Sequence, residues 1–244
     1  MILILGSNHD DIVYFESVIK NKKSETILGK YNATIGTLFN QSVMLLCDIH
    51  THALTASLIT HIINKYFVLL VFCVGNCQCA TNDLLIGDIA ISKRILFGDI
   101  NLIEAGGVEL CQIPSMPKVF EVQQDVLLTL ESSLSTRTYS KFYETTFISA
   151  DVIFKNKDEM RYIREDDYIL GYNQHVVFDN NSAGLALAGN LCDIPFISIK
   201  VVGNILGKKS TTDDYLVVLK QYASIGRAVV SAIGEISRND VVRE

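Results

Sequence analysis

The stretch "HVVFDNNSAGLALAGNLCDIPFISIKVVGN", His175–Asn204, decides the fold. "HVVFD" reads as a short β-branched strand, and "SAGLALAGNLC" as a helix of small and apolar residues that can pack on both faces. Pro195-Phe196 closes the connection, and "FISIKVV" is a second strand, apolar at nearly every position, as a strand covered on both faces is. Short apolar strands alternating with helices point to an α/β sheet covered on both faces.

The same alternation extends along the chain. "ILIL" (2–5) is a buried strand, Gly6-Ser7-Asn8 a turn, and "DDIVYFESVIKN" (10–21) a helix with acidic residues in its first turn. "NATIGTLF" and "SVMLLCDI" form a hairpin with its turn at Asn40-Gln41. "ALTASLITHIINK" is helical, and "FVLLVFCVG" and "GDIAISKRI" are strands. Residues 103–120 are irregular and hold Pro114 and Pro117. "EVQQDVLLTLESSL" is helical, "TTFISAD" a strand and "NKDEMRYIRED" (156–166) a polar helix. Tyr215, Leu219, Tyr222, Ile225, Val229 and Ile233 mark one face of a long last helix. The expected class is therefore α/β, three layers with a mixed central β-sheet flanked by helices, in one domain over residues 1–244. Ligands of such sheets bind beyond the C-terminal ends of strands, which directs attention to the loops at 6–11, 75–80, 151–154, 179–182 and 203–210.

Bulk properties narrow the function. The 244 residues are 49% apolar, with net charge −6 and a pI near 5.4. An acidic chain whose basic runs stop at Lys22-Lys23 and Lys208-Lys209 has no global attraction for nucleic acid or anionic membranes. The most apolar window, Tyr66–Gly75, has the length of a buried strand and not of a membrane span. The expected compartment is the cytoplasm, with the six Cys as reduced thiols.

Three motif-like patterns lead nowhere. After Gly203 only three residues precede Gly207, and Lys209 separates Lys208 from Ser210, so the spacing that wraps a P-loop around phosphate is absent. Asp48-x-His50-x-His52 imitates a metal-binding His pair but lacks the further ligands from later strands. Cys73, Cys77 and Cys79 have no second pair to complete a zinc site. No metal and no cofactor are expected.

The motif order carries a resemblance. Strand-Gly6-acidic helix, "GDIAIS" (87–92), Phe97 and Asp99, "SAD" (149–151), the small-residue helix and Pro195-Phe196 together resemble the purine nucleoside phosphorylase superfamily. Within it, the order is most similar to the 5′-methylthioadenosine/S-adenosylhomocysteine nucleosidases. The resemblance spans nearly the whole chain apart from 103–145. It implies cleavage of the N-glycosidic bond of a purine nucleoside, by water or by phosphate, in a homodimer.

The resemblance also assigns positions, and this chain departs at most of them. The family's catalytic Asp, which protonates purine N7, falls on Asn204. The Glu that orients the attacking water falls on Asp11, and the ribose-gripping Glu on Asn181, with Asp179 and Asn180 beside it. The Gly-Ser-Ala-Gly-Gly stretch becomes Gly75-Asn76-Cys77-Gln78-Cys79, and the Ser-Gly-Ile-Gly loop becomes Asp48-Ile49-His50-Thr51. The pair against the base becomes Ile153-Phe154, in swapped order; Phe97 and Asp151 complete the expected binding set. Asn204 can donate a hydrogen bond to N7 but no proton, as an Asn does on 6-oxopurines in the trimeric phosphorylases. The absence of Arg from the candidate loops favours hydrolysis over phosphorolysis. Two classes of function stay open: a divergent nucleosidase or phosphorylase, and a catalytically inactive nucleoside-binding or interaction protein on the same fold.

Overall fold

The computed structural model describes residues 1–80, 83–156, 159 and 175–243. Its strands are β1 (Ile2–Gly6), β2 (Lys20–Ile27), β3 (Tyr31–Leu38), β4 (Gln41–Leu46), β5 (Leu70–Cys79), β6 (Ile89–Phe97), β7 (Phe120–Glu121), β8 (Phe142–Ser149), β9 (His175–Asp179) and β10 (Phe196–Ile205). Its helices are α1 (Val13–Val18), α2 (His52–Lys65), α3 (Gln124–Arg137), α4 (Ser182–Cys192) and α5 (Thr212–Arg243). The sheet is mixed, as expected. β1 runs parallel to β4 and β5, β5 to β10, and β8 to β6 and β9, while β2, β3 and β4 are antiparallel neighbours.

One feature of the sheet was not legible in the sequence. Its order is β10-β6-β8-β9-β5-β1-β4-β3-β2, and β10 also pairs with β5, so β5, β10, β6, β8 and β9 close into a ring. β5 makes this possible by changing partners along its length. Leu70–Val74 pair with β1, whereas Gln78 and Cys79 pair with β9. Gly75, at φ +149°, stands between the two segments.

The N-terminal reading needs correction. The helix expected over 10–21 is a 3-10 turn at His9–Asp11 followed by the short α1, and Lys20 already begins β2. β2 is an edge strand, exposed and polar along most of its length, so it carries no apolar alternation to find. Its lysines are what keeps such an edge from pairing with other chains. The β3–β4 turn falls on Phe39-Asn40, one residue before the expected place, with both residues at positive φ, as a two-residue hairpin turn requires. Within 103–120 there is only a 3-10 turn at Ile103–Ala105 before β7. The polar helix expected over 156–166 lies, apart from Asn156 and Glu159, outside the described residues.

Helices pack where the sequence allows close approach. α5 buries Tyr222, Ile225, Val229 and Ile233, while Tyr215 at its start is half exposed. Over Thr212–Arg238 it is long and apolar enough to cross a membrane by length and composition, yet half of its most apolar window is buried in this fold. α4 sits against α2 so closely that a Cβ on Gly184 would lie 2.3 Å from the His52 carbonyl oxygen. That neighbour is backbone and cannot rotate away. Gly184→Ala is therefore expected to cost about 1–3 kcal/mol of stability. It should lower the urea midpoint at unchanged m-value; an unaltered midpoint would contradict the α2–α4 contact.

Candidate functional site

The C-terminal ends of β5, β8, β9 and β10 meet around one cavity of about 320 Å³, within the size range of small-ligand sites. A register shift between Val202 and Asn204 in β10 marks the point where that strand reaches the cavity. Of the residues singled out from sequence, Asn76, Ile153, Phe154, Asp179, Asn180 and Asn204 line it. Phe154 and Phe178 form one wall, their ring centroids 4.7 Å apart. Tyr215, at the start of α5, also lines it and donates its hydroxyl to Asp10 Oδ2 at 2.9 Å. The Asn204 Oδ1 is buried and has no hydrogen-bond partner.

Next to the cavity lies a buried polar cluster. At its centre is Lys200, a residue the sequence reading passed over, with 0% exposure. Its Nζ donates to Asn181 Oδ1 at 2.7 Å and lies 3.4 Å from Asp179 Oδ2. Asn181 spends its amide N–H groups on Ser7 Oγ (3.1 Å) and the Ile49 carbonyl (2.9 Å). Asp179 also accepts from Ser182 Oγ, which meets Ser198 Oγ at 2.6 Å. Burial works to lower the Lys200 pKa, but the Cys73, Asp179 and Asp11 groups facing it outweigh burial and raise it above the ordinary lysine range. The ammonium is thus charged at neutral pH. The available signal was the single charge inside "FISIKVV": a lysine in the middle of a buried strand needs partners.

Asp11 completes the cluster from the other side. It is 2% exposed; its Oδ2 accepts the Asn8 N–H at 2.8 Å, and its Oδ1 has no partner. Burial raises its pKa, opposed by the Asn8 N–H and the Lys200 charge. Tyr222 lies beside it, its phenol pushed well up by burial and by the Asp11 charge. Gly75 is the hinge of the arrangement. A Cβ there would sit 3.0 Å from Ser7 Oγ, 3.1 Å from Asp11 Oδ2 and 3.4 Å from Lys200 Nζ. Three polar atoms from three elements converge on the space that glycine leaves.

The remaining sequence candidates lie elsewhere. Asn181 is buried under Lys200 and does not line the cavity. Phe97 is buried edge-on to the His52 ring, with centroids 5.0 Å apart. Asp151 accepts the His52 N–H at 3.0 Å, and its own N–H donates to Asp99 Oδ2 at 2.8 Å. The His52 Nδ1 stands 3.9 Å from a carboxylate oxygen of each Asp. That spacing exceeds the roughly 3.4 Å edge of a tetrahedral metal site with bonds near 2.1 Å, and hydrogen bonds account for the grouping. Asp48 and His50 are exposed. Cys73 and Cys77 are buried thiols whose pKa values burial pushes up, so neither is a ready nucleophile.

Comparison with known proteins agrees with this architecture. The sequence profile of the phosphorylase superfamily matches residues 2–234. A 5′-methylthioadenosine/S-adenosylhomocysteine nucleosidase of Bacillus cereus is 21% identical over 209 residues, 86% of this chain and 87% of the relative. One from Psychromonas ingrahamii is 21% identical over 224 residues, 91% of this chain and 94% of the relative. Among solved structures, the Neisseria meningitidis nucleosidase in complex with methylthio-immucillin-A superposes with a TM-score of 0.83 at 17% identity, covering 96% of this chain and 98% of that one. The Colwellia psychrerythraea nucleosidase in complex with adenine gives 0.84 at 18% identity, covering 96% and 94%. At these identities the structural likeness establishes the fold.

The raised pKa of Asp11 has a consequence for stability. The folded protein holds the Asp11 proton more tightly than the unfolded chain does. The resulting stabilisation is present in acid and is lost as pH rises through the raised folded pKa, so the ionised side chain costs stability at neutral pH. Asp11→Asn, uncharged throughout, should melt above the unsubstituted protein at pH 7. The gap should close as pH falls towards about 4, where the unfolded carboxylate also protonates. Paired thermal melts from pH 4 to 8 read this; a gap that widens in acid would contradict the assignment.

Proposed function

This chain belongs to the phosphorylase superfamily, and we propose that it is a divergent nucleosidase that cleaves the N-glycosidic bond of a purine nucleoside with water as the acceptor. The observation that carries the reading is the group of Ser7, Asp11 and Lys200 around Gly75, directly beside an apolar-walled cavity. Cleavage of such a bond gives the sugar oxocarbenium character and needs an oriented nucleophile. Asp11 is an acceptor for a water proton, and its raised pKa makes it a better base than an ordinary Asp. Ser7 and Lys200 supply the remaining hydrogen bonds to that water. Phe154 takes the base against its ring, Asn204 donates to N7, and Asn76, Asp179 and Asn180 face the sugar. Asn181 acts one layer back, holding Lys200.

Charge supports water over phosphate. Asp11 and Asp179 against Lys200 leave the cluster one charge negative, which stabilises an oxocarbenium-like sugar and opposes a phosphate dianion. Among the described residues no Arg lines the cavity. In this reading residues 1–244 act as a single domain, in a cytoplasmic homodimer.

The test is base release from methylthioadenosine, S-adenosylhomocysteine, adenosine, inosine and guanosine, with and without phosphate. The expected result is release of at least one base at a rate independent of phosphate. Asp11→Asn should lower it by about 10² or more, the usual worth of a general base. The rate should also fall on acidification at a pH above the ordinary carboxylate range, because Asp11 acts ionised and its pKa is raised. A ligand-induced melting shift without any release would favour the binding-protein reading, and neither release nor shift would sink both.

A further inference from the structure

A buried carboxylate that orients a water must itself be held in one direction, and the turn that carries Asp11 holds it at one oxygen. Oδ2 accepts the Asn8 N–H at 2.8 Å, yet the last torsion of an Asp side chain is broad and roughly two-fold. A second constraint arrives from α5. Gly226 lets that helix press on α1, since a Cβ there would lie 2.3 Å from Tyr14 Cδ1. One helical turn earlier, on the same face, stands Tyr222, with 6% exposure. Its hydroxyl is directed at two groups, the Asp11 carboxylate and the Asn76 amide. Burial and the carboxylate push the phenol up, while the amide draws it down, so Tyr222 donates towards Asp11 and Asn76 donates towards Tyr222. Asn76 lines the cavity, and its amide lies over Gly203, where a Cβ would come within 3.8 Å of Nδ2. With an N–H turned to the phenol, that amide keeps its oxygen for the cavity.

We infer that Tyr222 is a positioning residue of the hydrolysis, which aims Asp11 at the attacking water and ties it to Asn76 on the sugar side of the cavity. This rests on the nucleosidase reading above and deepens it. The other titratable groups facing Asp11 are Lys200 from β10, Cys73 from β5, Cys47 just beyond β4 and Tyr215 from α5. Those four act on Asp11 through charge, whereas Tyr222 adds a directed hydrogen bond. Because its phenol is pushed well up, Tyr222 stays protonated over the working range and does not compete for the water proton.

Tyr222→Phe removes one oxygen and keeps the ring, so it tests the hydroxyl alone. Base release from the nucleoside panel above is followed from pH 4 to 8 for the unsubstituted protein and the variant. A hydroxyl that donates to a carboxylate favours the ionised form, and its loss raises the Asp11 pKa further. The acid limb of kcat/KM should therefore move up by about one pH unit, the scale of one hydrogen bond to a charged group. The kcat should fall about tenfold as the carboxylate loses its direction. Thermal melts read the same contact without substrate. In the Tyr222→Phe background the ionised Asp11 is costlier, so the stabilisation that Asp11→Asn gives at pH 7 should grow, and should still vanish towards about pH 4. A folded Tyr222→Phe that releases base with its acid limb unmoved overturns this inference and leaves the nucleosidase reading standing. So does an Asp11→Asn stabilisation of equal size in both backgrounds. No release from any nucleoside overturns the nucleosidase reading, and this role in it falls too.

Discussion

An ammonium with no exposure at all, Lys200, is the constraint on which the rest of the site depends. A buried charge is tolerated only when partners replace its hydration, and removing one partner from such a pair typically costs about 3–5 kcal/mol. The partners come from separate parts of the chain: Asn181 at the entry to α4, Asp179 at the end of β9, and Asp11 in the turn after β1. The ring closure of the sheet is what brings them together. β10 carries the lysine, β5 passes beneath it, and β9 reaches β5 only because β5 abandons β1 after Val74. The polar cluster and the unusual topology are therefore one feature. The lysine pins the ends of strands that only a bent β5 can place side by side.

The bend and the cluster are joined at Gly75. A residue with a Cβ would be strained at its φ of +149° and would push into Ser7, Asp11 and Lys200. The same glycine thus serves the strand, which must change partners there, and the site, which needs the space. A similar economy operates at α4, whose run of small residues was the first clue to the fold. Gly184 lets α4 press on the start of α2 at His52. That approach holds the α2 end of the loop whose Ile49 carbonyl receives Asn181.

Sequence reading recovered the layers because periodicity survives wherever a face is buried. The strand pair flanking α4, the hairpin of β3 and β4 and the apolar face of α5 all follow from burial patterns that a single chain displays. β2 escaped because its partners lie along one edge and its faces are mostly wet. The ring escaped because strand partners across it are far apart in sequence and no local pattern records a second neighbour for β5. At the site, positions on strand ends were legible: Asn76, Asp179 and Asn204 do line one cavity. What was not legible was depth. Asn181 and Phe97 lie close to lining residues in sequence or in space, yet point into the interior. Lys200, hidden in a strand that reads as pure core, was missed for the converse reason.

Depth also explains how a chain that departs from its family at so many positions keeps a coherent site. Where the resemblance places a carboxylate, Asn181 offers Lys200 a neutral oxygen at 2.7 Å. A third carboxylate there would have left the buried cluster two charges negative, with desolvation cost on each. With an amide there, Cys73, Asp179 and Asp11 together hold the lysine above its ordinary range. The changes at 181 and at 204 therefore act in different directions. In the proposed function one sets the charge balance around the nucleophile, and the other puts an amide where the resemblance places an acid. A drifting, functionless pocket would be expected to lose buried charge first, because unpaired charge is the most expensive thing a core can hold. This one holds Lys200 in the interior with Asn181, Asp179 and Asp11 around it.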